Sequence, residues 1–167
     1  MNIGESFIGD GAEAAHVNTV IGHRDGPAGT AWATALATPS AGHVPFVAVL
    51  RPGLPAKPMT LFVNKAAVDS ETHADLTWGA AQAGVAAGVM DAVAEGVIPP
   101  AEVDDLVIVA AVWVNPKAAD ADTVYANNRE ATHAALRAGA SRTPSLDEVL
   151  AARHAPANPF YTASGSM

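Results

Sequence analysis

Residues 14–25 read AAHVNTVIGHRD. Val17, Thr19, Val20 and Ile21 are β-branched and favour a pleated strand over a helix. Side chains alternate along a strand, so Val17, Thr19 and Ile21 share one face while His16, Asn18 and Val20 share the other. The first face is apolar enough to be core. The second carries two hydrogen-bonding groups two residues apart. Gly22 ends the strand, and Gly26-Pro27 mark a turn beyond it.

Upstream, Met1–Gly9 reads as a short strand, and Gly9-Asp10-Gly11 as the hairpin loop leading into the next one. That Gly-x-Gly opens no dinucleotide fingerprint, and no Walker pattern occurs. Downstream, Pro27–Thr38 predicts a helix stopped by Pro39. Val44–Leu50 predicts an apolar strand. Arg51–Thr60 (RPGLPAKPMT) holds three prolines and reads as a stiff extended loop, suited to a surface connection or a binding wall. Leu61–Val68 returns as a strand with Leu61, Val63, Lys65 and Ala67 on one face. Lys65 then closes an apolar stripe, either snorkelling to water or lining a mixed pocket.

Ser70 is an N-cap for a mostly helical Glu71–Glu95, interrupted near Gly79. Gly84 and Gly88, four apart, predict close packing of this helix on a sheet. Val85, Val89, Ala92 and Val93 form its apolar side, and Gly96 ends it before Pro99-Pro100. Ala101–Asp105 is a polar turn whose three acids read as solvated rather than metal-binding. Leu106–Val114 (LVIVAAVWV) lacks alternation, which predicts a strand covered on both faces. Lys117–Ala138 predicts a long helix with Val124, Ala131, Ala135 and Leu136 inward and Gly139 as its C-cap. Ser145 and Glu148 form a capping box for a last helix. Strand pairs alternating with helices imply an α/β (α+β) two-layer sandwich. Residues 1–155 read as one domain and 156–167 as an extended or disordered C-terminal tail.

The 167 residues suffice for one core. Half are hydrophobic and only 5% aromatic, so few large anchors are available and no stacking platform is expected near a pocket. The net charge of −8 and nine scattered basic residues argue against nucleic acid as the main partner. Without cysteine there is no disulfide, thiolate nucleophile or cysteine-ligated metal. No signal peptide or membrane span is read, so the expected setting is cytoplasmic. Six histidines occur without metal-ligand spacing, and no Gly-x-Ser-x-Gly elbow exists. What is left is one histidine for acid–base work, His16, and one lysine, Lys65, in a small-molecule pocket.

Several stretches together resemble the formaldehyde-activating enzyme family. They are GESFIGDGAEAAHVNTVIG, Leu54-Pro55-Ala56-Lys57-Pro58 leading to TLFVNK, WGAAQAGVAAGVMDAVAEGVIP, Asp104-Asp105-Leu106, and Asn158-Pro159-Phe160. They occur in family order over nearly the whole chain. The resemblance implies a fold like the second domain of ribosomal protein S5 and a homopentamer with sites between subunits. It implies condensation of formaldehyde with tetrahydromethanopterin to methylene-tetrahydromethanopterin and water, with no permanently bound cofactor and no metal. It places the proton donor at His16 and the pterin contacts at Asn18, Val47, Lys65, Ala67 and Gln82. The chain departs from the family at three of these places. The usual aspartate is Asn18, the usual threonine is Ala67, and a histidine commonly following Gln82 is Ala83. Asparagine keeps the shape of aspartate and loses its charge. Two alternatives follow from those departures: a paralogue using another carrier such as a folate, or a non-catalytic pterin- or aldehyde-binding protein.

The implied chemistry suits a histidine. A reduced-pterin nitrogen adds to formaldehyde, and the resulting hydroxyl must leave as water. An imidazolium can supply the proton near neutral pH. Holding a dilute aldehyde against one nitrogen supplies proximity.

Overall fold

The structure, a computed structural model, describes residues 1–162. A five-stranded sheet carries the fold. Its strands are β1 (Asn2–Ile8), β2 (Ala15–His23), β3 (Phe46–Val47), β6 (Met59–Asn64) and β7 (Leu106–Trp113), in spatial order β1-β2-β7-β6-β3. Neighbours are antiparallel except β6 and β7, which run parallel. Between β3 and β6 the chain makes a small ribbon, β4 (Val49–Arg51) with β5 (Leu54–Pro55). The helices are α1 (Pro27–Ala37), α2 (Glu71–Asp75), α3 (Gln82–Ala94), α4 (Ala121–Ser141) and α5 (Leu146–Ala152). A π-helical turn, Leu76–Ala81, joins α2 to α3 where the sequence predicts an interruption. A last ribbon pairs β8 (Ala157–Asn158) with β9 (Tyr161–Thr162).

Thr19 and Val17 of β2, Ile108, Ala110 and Val112 of β7, and Phe62 of β6 are buried on one sheet face. Register stacks them, since Val17 pairs with Val112 and Thr19 with Ala110. Val85, Val89 and Ala92 of α3 and Val124, Ala131 and Leu136 of α4 complete this core. The result is the expected two-layer α+β arrangement.

Four expectations need correction. Gly84 and Gly88 serve helix–helix packing, not helix–sheet packing. A Cβ on Gly84 would meet Tyr125 O at 2.5 Å, and one on Gly88 would meet Thr132 Cβ at 2.9 Å, both on α4. Gly139 is no C-cap, because α4 runs on to Ser141 and Arg142 takes the left-handed cap (φ 54°, ψ 42°). Gly139 is small so that β1 can cross it, with Ile3 O and Gly4 N 3.1 and 3.2 Å from an added Cβ. β7 is covered fully on one face only. Ile108, Ala110 and Val112 are buried while Val107, Val109, Ala111 and Trp113 are half-buried. Helix α1 lies over the Gly22 end of that second face, where a Cβ on Gly22 would meet Ala28 Cβ at 3.0 Å.

The fourth correction concerns strand limits. Val44–Leu50 divides at Ala48, because the Val49 amide turns from the ladder to Gln82 Oε1 at 2.5 Å. Leu61–Val68 is shifted to Met59–Asn64, because the Asn64 amide folds the chain into a turn by donating to Gly42 O (2.6 Å) and Ala66 O (2.8 Å). Likewise α4 starts after Asp120, whose carboxylate accepts from Thr123 N, four residues later than composition suggests. The tail is paired as β8–β9 through Thr162, and its last five residues lie outside those described.

Candidate active site

The second sheet face is built by register. Phe7 pairs with His16, which pairs with Trp113, while Glu5 pairs with Asn18 and Asn18 with Ala111. Lys65 follows β6 directly and still donates its amide to Val112 O at 2.7 Å, so its side chain is delivered beside β2. Four polar side chains, from β1, β2 and the residue after β6, then form one chain of contacts. Glu5 Oε1 lies 2.9 Å from His16 Nε2. His16 Nδ1 lies 3.2 Å from Lys65 Nζ. Lys65 Nζ donates to Asn18 Oδ1 at 2.7 Å.

The contacts constrain the protons. Glu5 accepts only, so Nε2 carries a hydrogen. A single hydrogen can lie between Nδ1 and Nζ. Either Lys65 Nζ, as ammonium or amine, donates to a neutral imidazole, or an imidazolium donates to a neutral amine. Burial lowers the Lys65 ammonium below lysine's ordinary range, and the Glu5 charge opposes this in part. Glu5 is mostly exposed, so its pairing orients the ring more than it stabilises the fold.

These groups open into a cavity of about 740 Å³ lined by Glu5, Phe7, His16, Lys65, Trp113 and the segment Ala157–Phe160. Phe7 is tilted against the His16 ring at 5.9 Å, and Phe160 stands edge-on to Trp113 at 6.1 Å. Low aromatic content therefore misleads. Few aromatics exist, and three of them are gathered at this cavity, where flat rings can pack on a heterocycle.

Of the residues singled out from sequence, His16, Asn18 and Lys65 meet directly. Val47 and Gln82 line a different cleft, with Val44, Phe46, Val49 and Trp78. Gln82 is buried there with its carbonyl engaged by Val49 N. Ala67 is exposed in the loop after β6. Sequence reasoning missed Glu5, Phe7 and Trp113. Strand parity would have placed each on a face, but only the β1-β2-β7 pairing makes that face common to all three. Three of the remaining histidines make contacts away from this cavity. His73, wholly buried, reaches Val114 O through Nε2 at 3.1 Å and ties α2 to the end of β7. His43 Nδ1 lies 2.8 Å from Asn64 O, and His133 lies 3.0 Å from Glu95.

The family model for formaldehyde-activating enzyme (Fae) matches residues 3–161. A "5,6,7,8-tetrahydromethanopterin hydro-lyase" of Methanosarcina barkeri is 42% identical over 158 residues, covering 95% of this chain and 89% of that protein. Proteins named "Bifunctional enzyme Fae/Hps" from Methanococcoides burtonii and Archaeoglobus fulgidus are each 45% identical, over 150 and 158 residues. Those matches cover 90% and 95% of this chain but 38% and 40% of the relatives, so the chain spans about two fifths of their length. With that match running from β1 through the β8–β9 ribbon, the chain belongs to the formaldehyde-activating enzyme family.

Proposed function

We propose that the protein condenses formaldehyde with tetrahydromethanopterin, giving methylene-tetrahydromethanopterin and water. The observation that carries this reading is His16 at the wall of an aromatic-lined cavity, with Glu5 on one ring nitrogen and Lys65 on the other. A histidine so held can give a proton to a departing hydroxyl and recover one from the ring-closing nitrogen. Asn18 and Lys65 supply hydrogen-bonding groups beside it, and Val47, Ala67 and Gln82 complete the proposed pterin contacts. No metal or bound cofactor is part of this scheme.

The His16 cavity and the Val47–Gln82 cleft share no residue. A carrier touching both sets is best served by two chains, each giving one half. This supports sites between neighbouring copies; the proposed assembly is a homopentamer, and light scattering on the purified protein would give its mass. The proposed domain is residues 1–155, followed by a tail, 156–167, whose Ala157–Phe160 segment lines the His16 cavity. No helix among the described residues is long and apolar enough to cross a membrane, and a cytoplasmic setting is proposed.

The direct assay is the initial rate of methylene-carrier formation above the uncatalysed background, run with tetrahydromethanopterin and with tetrahydrofolate. Acceleration with tetrahydromethanopterin is expected. Acceleration with folate alone would transfer the reading to a changed carrier, which the neutral Asn18 favours. Acceleration with neither would leave a binding protein.

A further inference from the structure

We propose that Lys65 Nζ is itself a nucleophile, capturing formaldehyde covalently and delivering its carbon to the amine carrier. This inference rests on formaldehyde being the substrate. Three observations carry it. The Lys65 head group is held by two partners without negative charge, Asn18 Oδ1 and His16 Nδ1, with no carboxylate within ion-pair distance among the described residues. It borders a cavity with room for an aldehyde and a ring system. The group at its side is a histidine, the residue that iminium formation needs as an acid.

The other two lysines differ. Lys57 is paired with the Asp104 carboxylate at 2.5 Å. Lys117 is exposed in the turn before α4, among those facing water. A charged ammonium has no lone pair to offer. A half-buried lysine with no carboxylate beside it keeps a larger fraction as free amine, and such lysines form Schiff bases with carbonyl substrates. Lowering of the Lys65 ammonium by burial acts in the same direction.

The steps balance. With the shared proton on His16 Nδ1, the Lys65 lone pair attacks the aldehyde carbon. A C–N bond forms, and the carbonyl oxygen takes up the proton that the nitrogen loses, giving a neutral carbinolamine. The His16 imidazolium then protonates the hydroxyl. The C–O bond breaks, water leaves, and the nitrogen lone pair closes a C=N bond to give the iminium. A carrier nitrogen attacks that carbon, and Lys65 departs as the free amine after taking the carrier's proton. The carrier iminium is closed by its second nitrogen, whose proton returns to His16. Nothing is oxidised or reduced, and the sum is aldehyde plus carrier giving methylene carrier plus water.

The test is reductive trapping. Limiting formaldehyde is added to the intact protein with cyanoborohydride, and each lysine's N-methylation is followed by peptide mass spectrometry. In parallel, methylene-carrier formation is assayed. Selective methylation at Lys65, several-fold faster than at Lys57 and Lys117, is expected, since burial leaves more of Lys65 as free amine. Tetrahydromethanopterin added before the reductant should discharge the label. Condensation without selective labelling of Lys65 overturns the inference and leaves the function standing. Selective labelling without condensation supports capture and overturns the function. A second variant separates nucleophile from charge. Lys65→Arg keeps a cation and its donors but cannot form an iminium, so full activity in that variant also overturns the inference.

Discussion

His16 has two ring nitrogens and two unlike neighbours, and the chemistry turns on that difference. Glu5 faces Nε2 at 2.9 Å and is exposed enough for water to screen it. Glu5→Gln keeps an acceptor and loses the charge. A fall in kcat of less than about tenfold is expected, the scale of an exposed ion pair, with an unchanged melting temperature. An inert protein or an unaltered kcat would show that Glu5 has another part. Asn18→Asp tests the opposite side. A carboxylate at 2.7 Å from Lys65 Nζ would favour the ammonium and slow reductive methylation of Lys65 by about tenfold or more. The titratable groups facing this amine are Glu5 and His16, so the comparison belongs at one fixed pH near neutrality. Equal labelling of the variant and the parent would mean that Lys65 is not governed by its neutral partner.

At the scale of elements, α3 and α4 hold the core together through two glycines. Gly88→Ala would drive a methyl into the α4 backbone and Thr132, and a loss of about 1–3 kcal/mol is expected from overpacking. Urea unfolding with an unchanged slope would report it, and an unchanged midpoint would contradict the packing. The same helices are bridged by Arg129, which donates to both Asp91 carboxylate oxygens at 2.6 and 2.9 Å. The Arg129 hydrogen bond holds the Asp91 carboxyl below its ordinary range. The folded protein therefore binds that proton less readily than the unfolded chain. The pair's stabilisation is present above the ordinary aspartate range and is lost as pH falls through the lowered value. Asp91→Asn should abolish that part of the acid dependence, as thermal melts at stepped pH would reveal. Helix α5 behaves differently because it buries no side chain. Ser145→Ala removes its capping box, so amide exchange should quicken over residues 146–152 without a shift in global melting.

Over the whole molecule, local signals were enough to read the elements and not their neighbours. The β-branched run in β2, the Ser70 and Ser145 caps and the break near Gly79 are written within a few residues of where they act. Gly139 misled because a glycine late in a helix satisfies both a capping and a packing rule, and only β1 crossing it decides between them. The site was legible in the same uneven way. Strand parity placed His16 with Asn18 and set Lys65 at the end of an apolar stripe, and the resemblance supplied their roles. Glu5 and Phe7 joined them through the register of the β1–β2 hairpin, and Trp113 through a pairing nearly a hundred residues away, which no window of sequence contains. Val47 and Gln82 fell in a second cleft, which suits a site shared between copies. The central claim is that His16 drives condensation of formaldehyde with a reduced pterin. The most direct measurement is kcat/KM for methylene-tetrahydromethanopterin formation, parent against His16→Ala, with the spontaneous rate subtracted. A loss of about 10²–10⁴-fold is the expected result for a removed acid–base group. A variant that accelerates the reaction as well as the parent would contradict the account.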